Sequence, residues 1–83
     1  HLVISGIEHP AVAAPAMALR DQGWQATVVG VDGFGRVSTA DVERALRPDT
    51  ALVSVMHANN EVGTLQPIAE VAAITRPRGI LLH

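Results

Sequence analysis

The sequence predicts an α/β fold with a largely parallel sheet. Short runs rich in Val, Ile and Leu recur along the 83 residues, stretches with helical spacing lie between them, and Gly or Pro stands near most boundaries. Apolar strands that alternate with helices are typical of parallel sheets with right-handed crossovers. The predicted element order is therefore βαβαβαβ, in one domain or part of one.

The first predicted strand covers residues 2–7. Pro10 ends it, because proline restricts the residue before it to extended backbone. A helix follows over residues 11–22, and Ala-rich composition supports it. Its regular part is expected to begin near Ala14, since Pro15 is tolerated only close to a helix start.

Gly23 is the expected C-terminal cap of this helix. The second strand covers residues 25–31, where β-branched side chains partly alternate. Residues 32–36 form a turn-rich loop. The second helix covers residues 39–47, with Ser38 as its N-cap.

The third predicted strand, residues 51–56, leads into a polar loop. The third helix covers residues 67–74 and has a proline at its first position, where the missing N–H costs nothing. Pro77 ends that helix, and a fourth strand opens at Gly79.

Composition excludes several classes of function for this span. The net charge of −2 gives no electrostatic reason to expect nucleic acid or an anionic membrane surface as a partner. No apolar run approaches the ~20 residues that cross a bilayer. The chain has no cysteine, so it holds no disulfide, thiolate metal site or cysteine nucleophile, which fits a cytoplasmic protein.

Both ends of the sequence fall inside apolar runs, residues 2–7 and 80–82. Domain boundaries usually fall in polar linkers instead. We therefore expect residues 1–83 to be an internal piece of a larger domain, truncated at both ends.

Polar side chains follow three of the predicted strands. The carboxyl ends of parallel strands meet at one edge of a sheet, where α/β proteins bind ligands. We therefore expect these side chains to gather there. They are Glu8, His9, His57, Asn59, Asn60, Glu61 and His83.

Three of these residues have both a functional and a structural interpretation. His9 could transfer protons or stack on a planar cofactor, or it could cap the helix that follows. Asn60 could donate to an anionic or phenolic oxygen, or it could satisfy its own turn. Glu61 could be a base or could brace loop amides. No metal site is expected, because the histidines lack the close spacing of zinc ligands.

Four segments together resemble the cysteine desulfurases, which are pyridoxal-phosphate enzymes of fold type I in the class V aminotransferase group. The resemblance extends over all 83 residues, and the EHPAV form is closer to the NifS/IscS-like branch than to the SufS-like one. The segments are IEHPAV at residues 7–12, LRPDT at 46–50, VSVMHANNEVGTLQPI at 53–68 and RGILLH at 78–83.

The resemblance implies that residues 1–83 belong to the large cofactor-binding domain of such an enzyme. His9 would stack over the pyridoxal ring and take part in proton transfers, and Asn60 would contact the phenolic oxygen. The implied reaction converts L-cysteine to L-alanine and leaves a persulfide on an enzyme cysteine. The family also implies a cytoplasmic homodimer that passes sulfur to an acceptor or scaffold protein, for iron–sulfur cluster or thio-cofactor assembly.

Several parts that the family requires are absent from this sequence. It has no lysine to hold the cofactor covalently and no cysteine to carry the persulfide. The aspartate that pairs with the pyridine nitrogen would follow His83, and the phosphate-binding loop would precede His1. The isolated chain is therefore expected to be inactive. Two alternatives remain: a selenocysteine lyase or other class V enzyme, and a stand-alone α/β binding module without catalysis.

Overall fold

The computed structural model describes residues 1–58 and 65–83 and confirms the α/β class and the predicted order of elements. Helices and strands alternate along the chain, and a short 3₁₀ turn precedes the last strand. The elements are β1 (Leu2–Ser5), α1 (Pro10–Asp21), β2 (Ala26–Val29), α2 (Thr39–Ala45), β3 (Leu52–Ser54), α3 (Ile68–Thr75), the 3₁₀ turn (Arg76–Arg78) and β4 (Leu81–Leu82).

The described strands form one sheet in the order β2-β1-β3-β4, and every pairing between them is parallel. Ile4 in β1 lies opposite Val28 in β2 on one side and Ser54 in β3 on the other. The parallel prediction is thus confirmed. All four carboxyl ends point to the same edge of the sheet.

The two faces of the sheet carry different helices. Leu2 and Ile4 pack against Ala16 of α1. Val3, which alternates with them along β1, lies in a second cluster with Val42 of α2 and with residues of β3 and α3. Helix α1 therefore covers one face, and α2 and α3 cover the other.

This arrangement creates a topological switch point between β1 and β3. The chain leaves β1 toward α1 on one face and leaves β3 toward α3 on the opposite face. A crevice opens where neighbouring strands diverge in this way, and open α/β sheets bind ligands there.

The start of α1 differs from the prediction. The helix begins at Pro10, not near Ala14, and Pro15 lies inside it. Pro10 is suited to the first helical position because its missing N–H would be unpaired there in any case. Pro15 removes the bond to the Ala11 carbonyl. Since both residues are exposed, water can reach that carbonyl.

Helix α1 ends just before Gly23, which confirms the predicted C-terminal cap. Gly23 has φ of +101°, its N–H donates to the Arg20 carbonyl at 3.1 Å, and the Trp24 N–H donates to the Leu19 carbonyl at 3.1 Å. This pair of bonds is a Schellman motif, which favours glycine at the left-handed position.

Other elements are shorter than predicted or end differently. Helix α2 ends at Ala45, and Leu46 is already extended with ψ of 138°. The Thr50 hydroxyl accepts from the Arg47 N–H at 2.8 Å, so this connection is held by a side chain instead of a further helical turn. Pro77 does not end the helical segment abruptly but lies within the 3₁₀ turn.

Candidate active site

A cavity of about 400 Å³ lies at the carboxyl ends of β1 and β3, at the switch point. Its size falls in the range of small-molecule sites. The described walls are mainly apolar, with three imidazoles and one carboxylate. The lining residues are Glu8, His9, Val12, Val55, Met56, His57, Ile68, Leu82 and His83.

Glu8 links the two strands that diverge at the cavity. Its Oε1 accepts from the Ser5 hydroxyl at 2.6 Å and from the Met56 backbone N–H at 2.5 Å. Ser5 is buried at the end of β1, and Met56 follows β3. By accepting from both residues, the Glu8 carboxylate joins the end of β1 to the end of β3. Hydrogen bonds to a carboxylate are stronger than those between neutral groups, which strengthens this link.

His9 is the N-cap of α1. Its Nδ1 accepts from the Ala11 backbone N–H at 3.0 Å, and its carbonyl accepts from Val12 and Ala13. The structural interpretation of this residue is therefore observed. The ring is nevertheless exposed and lines the cavity, so capping leaves its face open to a ligand. With Nδ1 accepting, the neutral ring carries its proton on Nε2.

His83 extends the pairing of β4 with β3. Its N–H donates to the Val53 carbonyl at 2.8 Å, and its carbonyl accepts from the Val55 N–H at 3.0 Å. Its Nδ1 lies 3.0 Å from the Ser54 hydroxyl. These contacts hold its imidazole at the cavity wall and support a structural role.

His57 is exposed at the opposite wall, and its carbonyl accepts from the Gln66 N–H at 2.9 Å. An antiparallel bridge joins Ala58 to Leu65, so the two described ends of this loop lie together. The predicted residues Asn59, Asn60 and Glu61 lie outside the described residues. Of the predicted set, the structure brings together Glu8, His9, His57 and His83.

Gln66 is a residue that the sequence analysis missed. It is buried, its Oε1 accepts from the Val37 N–H at 2.9 Å, and its Nε2 donates to the Gly35 carbonyl at 2.7 Å. It therefore ties the start of α3 to the loop before α2. A glutamine next to a proline carries no local signal of such a long-range contact.

The Asp32 turn does not line the cavity. Hydrogen bonds from the Arg36 N–H and then the Phe34 N–H hold the pKa of Asp32 below its ordinary value, although the carboxylate is fully exposed. The side chain thus stabilises its own loop. A plain turn, as predicted for this Gly-containing segment, accounts for these contacts.

Metal-ligand clusters and membrane-spanning helices are both absent from the described part of the chain. Within residues 1–58 and 65–83, no three His, Cys, Asp or Glu side chains are grouped as metal ligands would be. The helices described there are also too short or too polar to cross a membrane.

A model of the class-V aminotransferase family matches residues 1–83. The chain belongs to the class-V aminotransferase family. It is 49% identical over 83 residues to the protein named cysteine desulfurase IscS of Anaeromyxobacter sp. (strain K), covering 100% of this chain and 20% of that protein. This class-V aminotransferase chain therefore spans about a fifth of the length of the curated relatives it matches.

Solved structures of similar proteins share the fold. The crystal structure of DndA from Streptomyces lividans superposes with a TM-score of 0.95 at 43% identity, covering 100% of this chain and 23% of that one. A structure described as SspA in complex with cysteine superposes with a TM-score of 0.97 at 36% identity, covering 100% and 24%. The parallel sheet and its switch point are thus features of this class-V aminotransferase fold.

Proposed function

We propose that this chain is a segment of the cofactor-binding domain of a pyridoxal-phosphate-dependent cysteine desulfurase. The whole enzyme would convert L-cysteine to L-alanine and an enzyme-bound persulfide. The observation that carries the proposal is the 49% identity, over all 83 residues, with proteins named cysteine desulfurase IscS. The similar structure described as holding cysteine supports the substrate.

The cavity suits part of the proposed cofactor. Its apolar walls, including Val12, Val55 and Ile68, can cover a planar ring and exclude water. The exposed face of the His9 imidazole offers a stacking surface. No Lys or Arg is present among the described lining residues, so the phosphate would be held by residues elsewhere. When bound, pyridoxal phosphate withdraws electrons from the substrate Cα.

His9 is proposed as the residue that stacks on the cofactor and moves a proton. While Nδ1 accepts from the Ala11 N–H, the neutral ring holds its proton on Nε2, so the ring takes up a second proton only at Nδ1, once the cap opens. A ring protonated on both nitrogens would place two N–H groups against each other and lose the cap. Stacking alone needs only the ring face and is compatible with the cap. Asn60 is proposed as the partner of the phenolic oxygen.

The proposal extends to the setting of the whole protein. The enzyme would be a cytoplasmic homodimer and would deliver sulfur to an acceptor or scaffold protein, in iron–sulfur cluster or thio-cofactor assembly. These features rest on the family resemblance and on the relatives named cysteine desulfurase.

The test uses the complete protein that contains this segment. We expect a visible absorption band from bound pyridoxal phosphate and alanine formation from L-cysteine. Selenocysteine is assayed in parallel, and a strong preference for it would favour a selenocysteine lyase instead. A protein with no cofactor band and no turnover of either substrate would refute the proposal and leave the binding-module alternative.

A further inference from the structure

We infer that Glu8 is a positioning residue that sets the place of His9 at the cavity, and this inference rests on the proposed function. Glu8 immediately precedes His9, and its carboxylate binds to both strands that border the crevice. It would therefore act through His9 and not on the substrate.

Glu8 lies beyond the point at which β1 and β3 stop pairing. Pairing between β1 and β3 ends at Ile4 and Ser54. Beyond this point the chains turn to opposite faces of the sheet. The carboxylate of Glu8 continues the connection, because it accepts from the Met56 N–H at 2.5 Å, two residues past β3.

The same carboxylate also closes the turn between β1 and α1. Its bond with the Ser5 hydroxyl, at 2.6 Å, spans three residues, and Ser5 is only 2% exposed. One end of this link is therefore anchored in the core. The other end leads directly into His9, whose carbonyl begins the hydrogen bonding of α1.

These contacts fix the distance between the two walls of the cavity. His9 stands on the wall that follows β1, and Val55 to His57 form the wall that follows β3. Without the bond between Glu8 and Met56, the two walls could shift relative to each other. Misplacement of a reacting group by about 1 Å can cost on the order of a hundredfold in rate.

The complete holoenzyme tests this inference through Glu8→Ala and Glu8→Gln, each in the wild-type and His9→Ala backgrounds. Glu43→Ala is the matched control, since Glu43 is exposed and its carboxylate pairs with Arg78 on the surface. With His9 present, we expect Glu8→Ala to lower kcat by about tenfold or more with little change in KM. In the His9→Ala background, adding Glu8→Ala should lower kcat by less than about a further twofold.

Glu8→Gln distinguishes positioning from acid–base chemistry. Glutamine keeps an oxygen that can accept from the Met56 N–H, so it should retain kcat within about threefold of wild type. Equal losses in Glu8→Gln and Glu8→Ala would overturn the inference, as would the same loss with and without His9.

Hydrogen exchange separates this inference from the proposed function. The Met56 amide should exchange faster in Glu8→Ala than in wild type or Glu43→Ala, whether or not the enzyme uses cysteine. Unchanged exchange overturns the link itself. If the wild-type protein forms no alanine, the proposed function fails and the role assigned to Glu8 in catalysis fails with it.

Discussion

The backbone N–H of Val37 donates to Oε1 of Gln66 at 2.9 Å, although 29 residues separate them in the chain. The amide of the same side chain donates to the Gly35 carbonyl at 2.7 Å. One buried glutamine thus satisfies two backbone groups of a loop. The backbone N–H of Gln66 donates to the His57 carbonyl, so Gln66 connects the loop before α2 to the cavity wall.

Replacing Gln66 with leucine should loosen this loop. The substitution leaves the Val37 N–H and the Gly35 carbonyl unpaired in a buried setting, which costs about 1–3 kcal/mol for each group. Hydrogen exchange at the Val37 amide in the complete protein should accelerate accordingly. Gln22→Leu is the control, because Gln22 is exposed at the end of α1. Equal exchange rates in the two variants would contradict the expectation.

Two substitutions of His9 separate its cap from its proposed chemistry. Asparagine is a good N-cap, whereas alanine is not, so His9→Ala should lose about 1 kcal/mol of helix stability and His9→Asn should lose little. Both remove the imidazole and should lower kcat by roughly a hundredfold or more. Exchange of the Ala11 amide and alanine formation are measured together. Full activity in His9→Asn would show that the ring is not needed.

The Asp32 turn should depend on pH in a defined direction. Backbone donors, first Arg36 and then Phe34, lower the pKa of Asp32 in the folded protein. Its contribution to stability is therefore present above the ordinary aspartate value of about 3.9 and is lost as pH falls through the lower, folded value. Carbon-13 NMR titration should place the Asp32 carboxyl midpoint below that ordinary value. Asp32→Asn identifies the resonance by removing it, and a midpoint at or above 3.9 would refute the assignment.

Substitution of Gly79 should lower the stability of the protein because of its backbone conformation alone. It has φ of +67° at the end of the 3₁₀ turn, and a Cβ there would meet no atom within 4 Å. Gly79→Ala should therefore cost about 1–2 kcal/mol through left-handed strain. Gly30→Ala is the matched control, since Gly30 also has open space around a Cβ but is not among the positive-φ glycines. The urea midpoints of the two variants in the complete protein should differ, and equal midpoints would contradict the prediction.

The alternation of strands and helices was predictable because each element carries a local signal. Apolar runs marked the four strands, Ser38 marked the start of α2, and Gly23 marked the end of α1. The gathering of Glu8 and His9 with His57 followed from parallel strands alone. The start of α1 differs from the prediction because the face of the helix that carries Pro15 is exposed. Helix α2 ends two residues earlier than predicted because the Thr50 hydroxyl, and not a further helical turn, holds the connection.

The sequence by itself determined the α/β class, the element order and the edge of the sheet that holds the candidate site. Helices and strands bury apolar residues at different spacings along the chain, and these spacings are visible in the local sequence. The tertiary structure alone decided the strand order β2-β1-β3-β4 and hence the switch point. It also decided the bond between the Met56 N–H and the Glu8 carboxylate and the bond between the Val37 N–H and the Gln66 side chain. These bonds join residues 29 to 48 positions apart, and such pairings depend on how the strands are ordered, which no local pattern encodes.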